Sequence, residues 1–298
     1  MRTMRNYGML LLLIDLFFIM GIKSGNAQDA KRHPFNIYGF IVYAGYIKQG
    51  VKQQNSMSQL QNYLQSIGIG KYNLIYEHKV LDYPNGDKKN GTINLNRMDS
   101  LAALAVNEPT GLVSLDLEGW NRFDTSRTVH RMLDAIKSFR RINKVSPLGF
   151  YATVPQDTYG FPKDQQLYER LNKAYRPVAA EVDYYSPSLY NYKGVDSLDW
   201  YKAAVFNLEA CHKYSFSGKQ ILPYITPEVW NGDQTTFLTY EQMWYRLKVL
   251  YDLGADGCLL WTSSKTRNPD GTKIFVDENA GWLKAVKDFI KQYPSSNH

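Results

Sequence analysis

The chain has 298 residues, 44% of them hydrophobic and 21% charged, a balance that excludes a disordered protein and suits one large buried core. Its formal charge of +7 comes without an arginine-rich stripe, which argues against a nucleic-acid-binding surface. The two cysteines, Cys211 and Cys258, are too few for a disulfide framework and read as buried thiols.

Residues 1–27 read as a secretory leader. Arg2 and Arg5 precede an apolar run from Met9 to Ile22, and small residues end at Ala27, the expected cleavage point. Asp15 interrupts the run, which is short for a bilayer span, so a retained anchor is the weaker alternative. No cysteine follows it for lipid attachment. The leader holds Arg2, Arg5, Lys23 and Asp15, a net of +2, which leaves about +5 on the mature chain. That surplus permits an acidic ligand without requiring one. A secreted or periplasmic protein is expected, with residues 28–298 forming a single domain.

After the leader, seven short apolar, β-branched or aromatic runs recur: Phe35 to Tyr43, Tyr72 to Glu77, Gly111 to Leu117, Leu148 to Thr153, Val182 to Tyr185, Ile221 to Thr226 and Gly257 to Thr262. Amphipathic stretches separate them, the βαβ pattern of a parallel sheet. The polar, turn-rich stretch from Asp82 to Arg97 reads as a loop over one mouth of the sheet. A helix follows Asp124, with Val129, Met132, Leu133 and Ile136 on one face. Another starts at Thr239, with Gln242 completing a capping box, and stops at Gly254. The last carries Trp282, Leu283, Val286, Phe289 and Ile290. Such regular alternation predicts an α/β fold, a distorted (β/α) TIM-type barrel of seven strands.

The stretch "GLVSLDLEGW", residues 111–120, places two acids inside one of these strands. Strand side chains alternate, so Asp116 and Glu118 share one face while Leu115 and Leu117 take the other. In a barrel the leucines meet the helices and the acids reach the carboxyl-terminal mouth, where barrel enzymes do their chemistry. Two acids roughly 6 to 7 Å apart in a poorly solvated cleft repel, so one keeps its proton near neutrality and can act as an acid. The plainer alternative is that they cap the following helix or pair with Arg122 or Arg127.

Other strand ends favour the cleft. Tyr151 closes "LGFY", Tyr185 and Tyr190 lie in "YYSPSLY", Tyr224 lies in "ILPYITPEVW", Trp261 ends "CLLW", and Trp120 follows the acids. Polar aromatic rings suit stacking on sugars and hydrogen-bonding to their hydroxyls. The five histidines show no metal-ligand spacing, and there is no H-E-x-x-H, P-loop, dinucleotide fingerprint or G-x-S-x-G elbow, so neither a metal nor a cofactor is expected.

These segments, in this order and spacing, resemble the hyaluronidases of glycoside hydrolase family 56. The similarity runs from about Asn90 to Asn268 and is carried by "GLVSLDLEGW", "LGFY", "PSLY", "ILPYITPEVW", "FLTYEQM" and "LGADGCLLWTSSKTRN". The resemblance implies a retaining glycosidase that acts on N-acetylhexosamine-containing polysaccharide. In it Glu118 is the general acid and base and is protonated, and Asp116, ionised, orients the substrate's acetamido group, whose own oxygen is the nucleophile. Tyr190 and Tyr224 would bind and polarise that group, and Trp261 would line the sugar subsite. The first strand matches loosely, the segment between Tyr151 and Tyr185 is shorter than in the animal enzymes, and their cysteines are missing.

Two alternatives stand beside this reading. One uses a protein nucleophile, Glu228 or Asp183, opposite Glu118. The other is a non-catalytic glycan-binding barrel. No protein partner is indicated.

Overall fold

Where the sequence alternates in apolar runs the chain is extended, and the amphipathic stretches between those runs are helical. A computed structural model describes residues 33–54, 56–107, 111–232 and 234–295; the expected leader, residues 1–27, lies outside them. The strand β1 (Asn36–Phe40) is followed by a hairpin, β2 (Gly45–Lys48) and β3 (Val51–Gln54), and by α1 (Met57–Ser66). Then β4 (Asn73–Tyr76) runs straight into the short helix α2 (Glu77–Val80), and the pair β5 (Leu81–Asp82) and β6 (Thr92–Ile93) leads to α3 (Leu95–Val106). Three strand–helix units follow: β7 (Val113–Asp116) with α4 (Thr125–Ile142), β8 (Leu148–Phe150) with α5 (Gln165–Ala174) and α6 (Arg176–Glu181), and β9 (Tyr184–Tyr185) with α7 (Ser197–Tyr214). Next come β10 (Gln220–Ile221), β11 (Tyr224–Ile225), the hairpin β12 (Glu228–Asn231) and β13 (Gln234–Phe237), and α8 (Tyr240–Asp252). The segments β14 (Gly257–Trp261), β15 (Phe275–Asp277) and α9 (Gly281–Gln292) complete the order.

Helix boundaries follow local chemistry. Thr239 and Gln242 form the expected capping box of α8, and Ser56 and Gln59 form one on α1. Asp124 caps α4 through the amide of Arg127. The stretch from Asp82 to Arg97, expected as one loop, contains β6 and two tight helical turns, Pro84–Gly86 and Lys88–Asn90, and ends inside α3.

The parallel strands pair as β1–β14–β11, β4–β7–β8 and β9–β10, and β15 pairs in parallel with β2 of the hairpin. A few backbone hydrogen bonds extend and link these short ladders. The Gly39 amide donates to Gly70 at 2.7 Å, ahead of β4, and the Ala152 amide, beyond β8, donates to Ser186 at 3.0 Å. Tyr224 donates to Pro187 at 2.8 Å, and Leu259 to Pro223 at 2.9 Å. Pro187 and Pro223 have no N–H to give, which is one reason the ladders around β9 to β11 are only two residues long.

Alternation divides the core in two. Leu115, Leu117, Ile37, Phe150 and Ile225 turn toward the helices and join one large apolar cluster. The opposite strand face gathers Tyr72, Leu74, Leu112, Tyr184, Tyr190, Leu222, Tyr224 and Leu259, with Tyr38, Phe40, Tyr76, Tyr151, Tyr192 and Trp261 packed around them. That second cluster is unusually rich in tyrosine and lies against Asp116. Gly149 makes room for it, since a Cβ there would fall 2.4 Å from the Tyr184 ring. Residues Pro34–His298 cluster as one compact unit.

Candidate active site

Asp116 is the last residue of β7 and stands opposite Tyr76 in the β4–β7 register. Glu118 follows two residues on, and the two side chains hydrogen-bond to each other. Leu115 and Leu117 are buried against the helices, so the strand phase is the one the sequence predicts. Burial, the adjoining Glu118 carboxyl and Glu77 push Asp116 up to about 8. Burial raises Glu118 as well, opposed by its hydrogen bond with Asp116. The pair therefore holds a shared proton at neutral pH. Both carboxyls are raised, so the proton belongs to the pair rather than to either acid alone.

Neither plain structural role applies to these acids. The cap of α4 is Asp124, and Arg127 donates to Asn90 at 2.6 Å. Arg122 gives its Nη1 to the carbonyl of Asp157 at 2.7 Å and stacks near Phe123, Tyr159 and Tyr168; its charge reaches Glu118 without an ion-pair contact.

Aromatic rings surround the pair. Tyr190 and Trp261 stack with centroids 5.7 Å apart, and the Trp261 indole donates to the Tyr76 hydroxyl at 3.2 Å. Tyr151 meets Tyr224 edge-on at 4.9 Å and lies 5.9 Å from Tyr190. Tyr224 is fully buried and forms the floor; its hydroxyl lies near Ser114 and Tyr72 without a well-formed hydrogen bond to either. A cleft of about 330 Å³ leads away from Glu118 past Arg122, Tyr151, Asp157 and Tyr159. A cavity of about 370 Å³ between β1, β4, α1 and α3 holds none of the predicted site residues.

Of the predicted site residues, Glu118, Tyr151 and Trp120 line this cleft, whereas Asp116, Tyr185, Tyr190, Tyr224 and Trp261 do not. Tyr185 faces the helices and packs on Tyr214 at 5.2 Å, because the inward phase of β9 belongs to Tyr184. Trp120 borders the cleft but is 4% exposed: its indole donates to Gly91 at 2.9 Å and Arg131 covers its ring at 5.7 Å. It pins the Asp82–Arg97 stretch to the segment after β7.

The candidate nucleophiles are also elsewhere engaged. Asp183 accepts from the Leu148 amide at 2.8 Å and pairs with Arg140, at the opposite end of the strands from Asp116. Glu228 is buried and accepts from the Tyr43 hydroxyl at 2.6 Å and the Ser263 amide at 3.0 Å, a structural brace.

Several site residues escaped the sequence reading. Tyr76, Tyr184, Tyr192 and Trp230 join the aromatic cluster or its rim, with Trp230 6.3 Å from Trp261. Asp157, 4% exposed, receives the Tyr192 hydroxyl at 2.9 Å and the Tyr159 amide at 2.9 Å; burial nevertheless pushes it up to about 6. Tyr192 also meets Ser188 at 2.6 Å, and Ser188 meets Tyr151 at 3.2 Å, so a hydrogen-bonded chain joins Asp157 to the cleft wall. Strand parity was the available signal: Tyr184, Ser186, Ser188 and Tyr190 are all even-numbered positions of one extended segment. Among the described residues no group of three His, Cys, Asp or Glu is arranged to hold a metal ion.

No protein-family model matches the sequence, and no curated protein matches it either. Solved structures do. Bee venom hyaluronidase, in a monoclinic crystal, superposes with a TM-score of 0.55 at 16% identity, covering 87% of this chain and 97% of that one. A second structure, bee venom hyaluronidase with a hyaluronic acid tetramer, gives 0.52 at 16% identity over 86% and 95%. A chitinase from Rhizomucor miehei gives 0.47 at 11% identity over 85% and 93%. At these identities the likeness is one of fold, and the chain shares the α/β fold of bee venom hyaluronidase.

Proposed function

We propose that this chain is an exported glycoside hydrolase that cleaves N-acetylhexosamine-containing polysaccharide with retention, assisted by the substrate's own acetamido group. The observation that carries the reading is the hydrogen-bonded Asp116–Glu118 pair on the aromatic strand face, holding a shared proton beside a cleft. Strand contacts run through β1, β4, β7, β8, β9, β10–β11 and β14 and return to β1, which supports a seven-stranded barrel with Asp116 at its carboxyl-terminal mouth. Residues 28–298 are its single domain after removal of the leader.

In this mechanism Glu118 gives a proton to the glycosidic oxygen as the acetamido oxygen attacks the anomeric carbon and the leaving sugar departs. Asp116, ionised at that moment, favours the positive charge on the oxazolinium. The hydrogen bond between the acids lets their shared proton settle on Glu118 as that charge develops. Water then attacks the anomeric carbon, with Glu118 taking its proton back. Tyr190 and Tyr224 hold the acetamido group, and Tyr151 and Trp261 line the sugar. General acid help of this kind is worth about 10²–10⁴ in rate.

The test is digestion of hyaluronan, chondroitin, chitin oligomers and peptidoglycan, with product sizing and proton NMR of the first anomer released. Shorter products of retained configuration support the reading. Tight oligosaccharide binding without turnover on any substrate would instead mark a glycan-binding protein.

A further inference from the structure

We propose that Glu77 is a positioning residue for the acid pair: it clamps the backbone directly behind Glu118 and, balanced by Lys88, sets the charge the pair experiences. Glu77 opens α2 immediately after Tyr76, the residue opposite Asp116. Its side chain is 15% exposed, and it spends its two oxygens differently. Oε2 accepts the Gly119 amide at 2.6 Å, fixing the turn that carries Glu118. Oε1 lies 3.3 Å from Lys88 Nζ, on the tight turn Lys88–Asn90.

Gly119 makes the clamp possible. A Cβ there would lie 2.8 Å from Glu77 Oε2 and 3.2 Å from the Lys88 backbone oxygen, so a side chain would push the carboxylate and the turn away. Three hydrogen bonds hold that turn against the segment after β7: Trp120 to Gly91 at 2.9 Å, Arg127 to Asn90 at 2.6 Å and Arg131 to Lys89 at 2.8 Å. Lys88 is thus held over Glu77.

Glu77 is a third acid beside a pair that already repels itself, and its charge favours the protonated form of both Asp116 and Glu118. Arg122, from the segment after β7, opposes it at Glu118. The remaining titratable groups facing the pair are phenols and one acid: Tyr72 and Tyr76 of the β4 segment, Tyr224 of β11, and Tyr151, Asp157 and Tyr159 beyond β8. Lys88 is 68% exposed, so it offsets Glu77 only partly.

The activity side of this inference rests on the proposed glycosidase reading; the titration side does not. Carbon NMR of the side-chain carboxyls, assigned with Asp116→Asn and Glu118→Gln, would follow the pair's proton release in the full chain. Glu77→Gln keeps an oxygen for the Gly119 amide and removes the charge, so release should move down by about one pH unit. Lys88→Met should move it up, by less. In the active protein the alkaline limb of the pH–rate profile should shift in the same two directions. Unchanged release in both variants, with thermal melting as in the parent chain, would overturn the proposal and leave Glu77 a brace for the turn. Opposite shifts in a protein that cleaves no glycan would uphold the proposal while removing the glycosidase reading.

Discussion

Tyr190 and Trp261 stack with their ring planes 26° apart, although 71 positions of chain separate the two strand exits that carry them. The stack forms one wall beside the acid pair, with Trp230 at its edge, 38% exposed. Removing the Trp261 ring should weaken oligosaccharide binding more than it slows bond cleavage. Trp261→Ala is expected to raise KM about tenfold, read from initial rates or from calorimetric binding to an inactive variant.

Tyr224 offers a cleaner separation of fold from function. Its hydroxyl is buried and lacks a well-formed bond, so deleting it leaves no partner stranded. Tyr224→Phe should melt within about 2 °C of the parent chain yet lose about ten- to a hundredfold in kcat. A variant that melts normally and cleaves normally would remove Tyr224 from the mechanism.

The raised acids make a stability prediction with a definite sign. In the unfolded chain Asp116 releases its proton near the ordinary aspartate value, whereas in the folded chain it holds it up to about 8. Between those limits the folded state binds more protons, so stability falls as pH rises through the window. Asp116→Asn cannot ionise and should melt higher than the parent chain at pH 8, with the difference closing toward pH 4. Parallel melting curves across that range would show that Asp116 does not carry the strained proton.

Glu228 should behave as a brace. It joins Tyr43 of the segment after β1 to Ser263 beyond β14, so Glu228→Ala leaves a buried hydroxyl and an amide unpaired. The expected loss is about 2–4 kcal/mol of stability in a denaturant titration. No sugar adduct should form on it with a mechanism-based fluorosugar.

Much of this arrangement is legible in the sequence. The D-x-E phase followed from alternation alone, because Leu115 and Leu117 could only be satisfied by an apolar layer, and the helix starts at Asp124 and Thr239 followed from capping chemistry. Tyr185 was misplaced because two adjacent tyrosines are equivalent in composition and only the phase of Ser186 and Ser188 distinguishes them. Trp120 was misjudged for another reason: its environment is made by Gly91 and Arg131, distant in sequence, and no local pattern announces such a contact. Asp157 and Glu77 were hidden in the same way, since their partners come from other strand exits. How strongly the acid pair holds its proton was not legible either, because desolvation depends on the tertiary surroundings.

The most direct measurement is the rate at which the parent chain and Glu118→Gln shorten an N-acetylhexosamine polymer at the parent's pH optimum. The account predicts that the parent cleaves and that the amide variant, folded and still binding oligosaccharide, is slower by about 10²–10⁴. Equal cleavage by the two chains would contradict it.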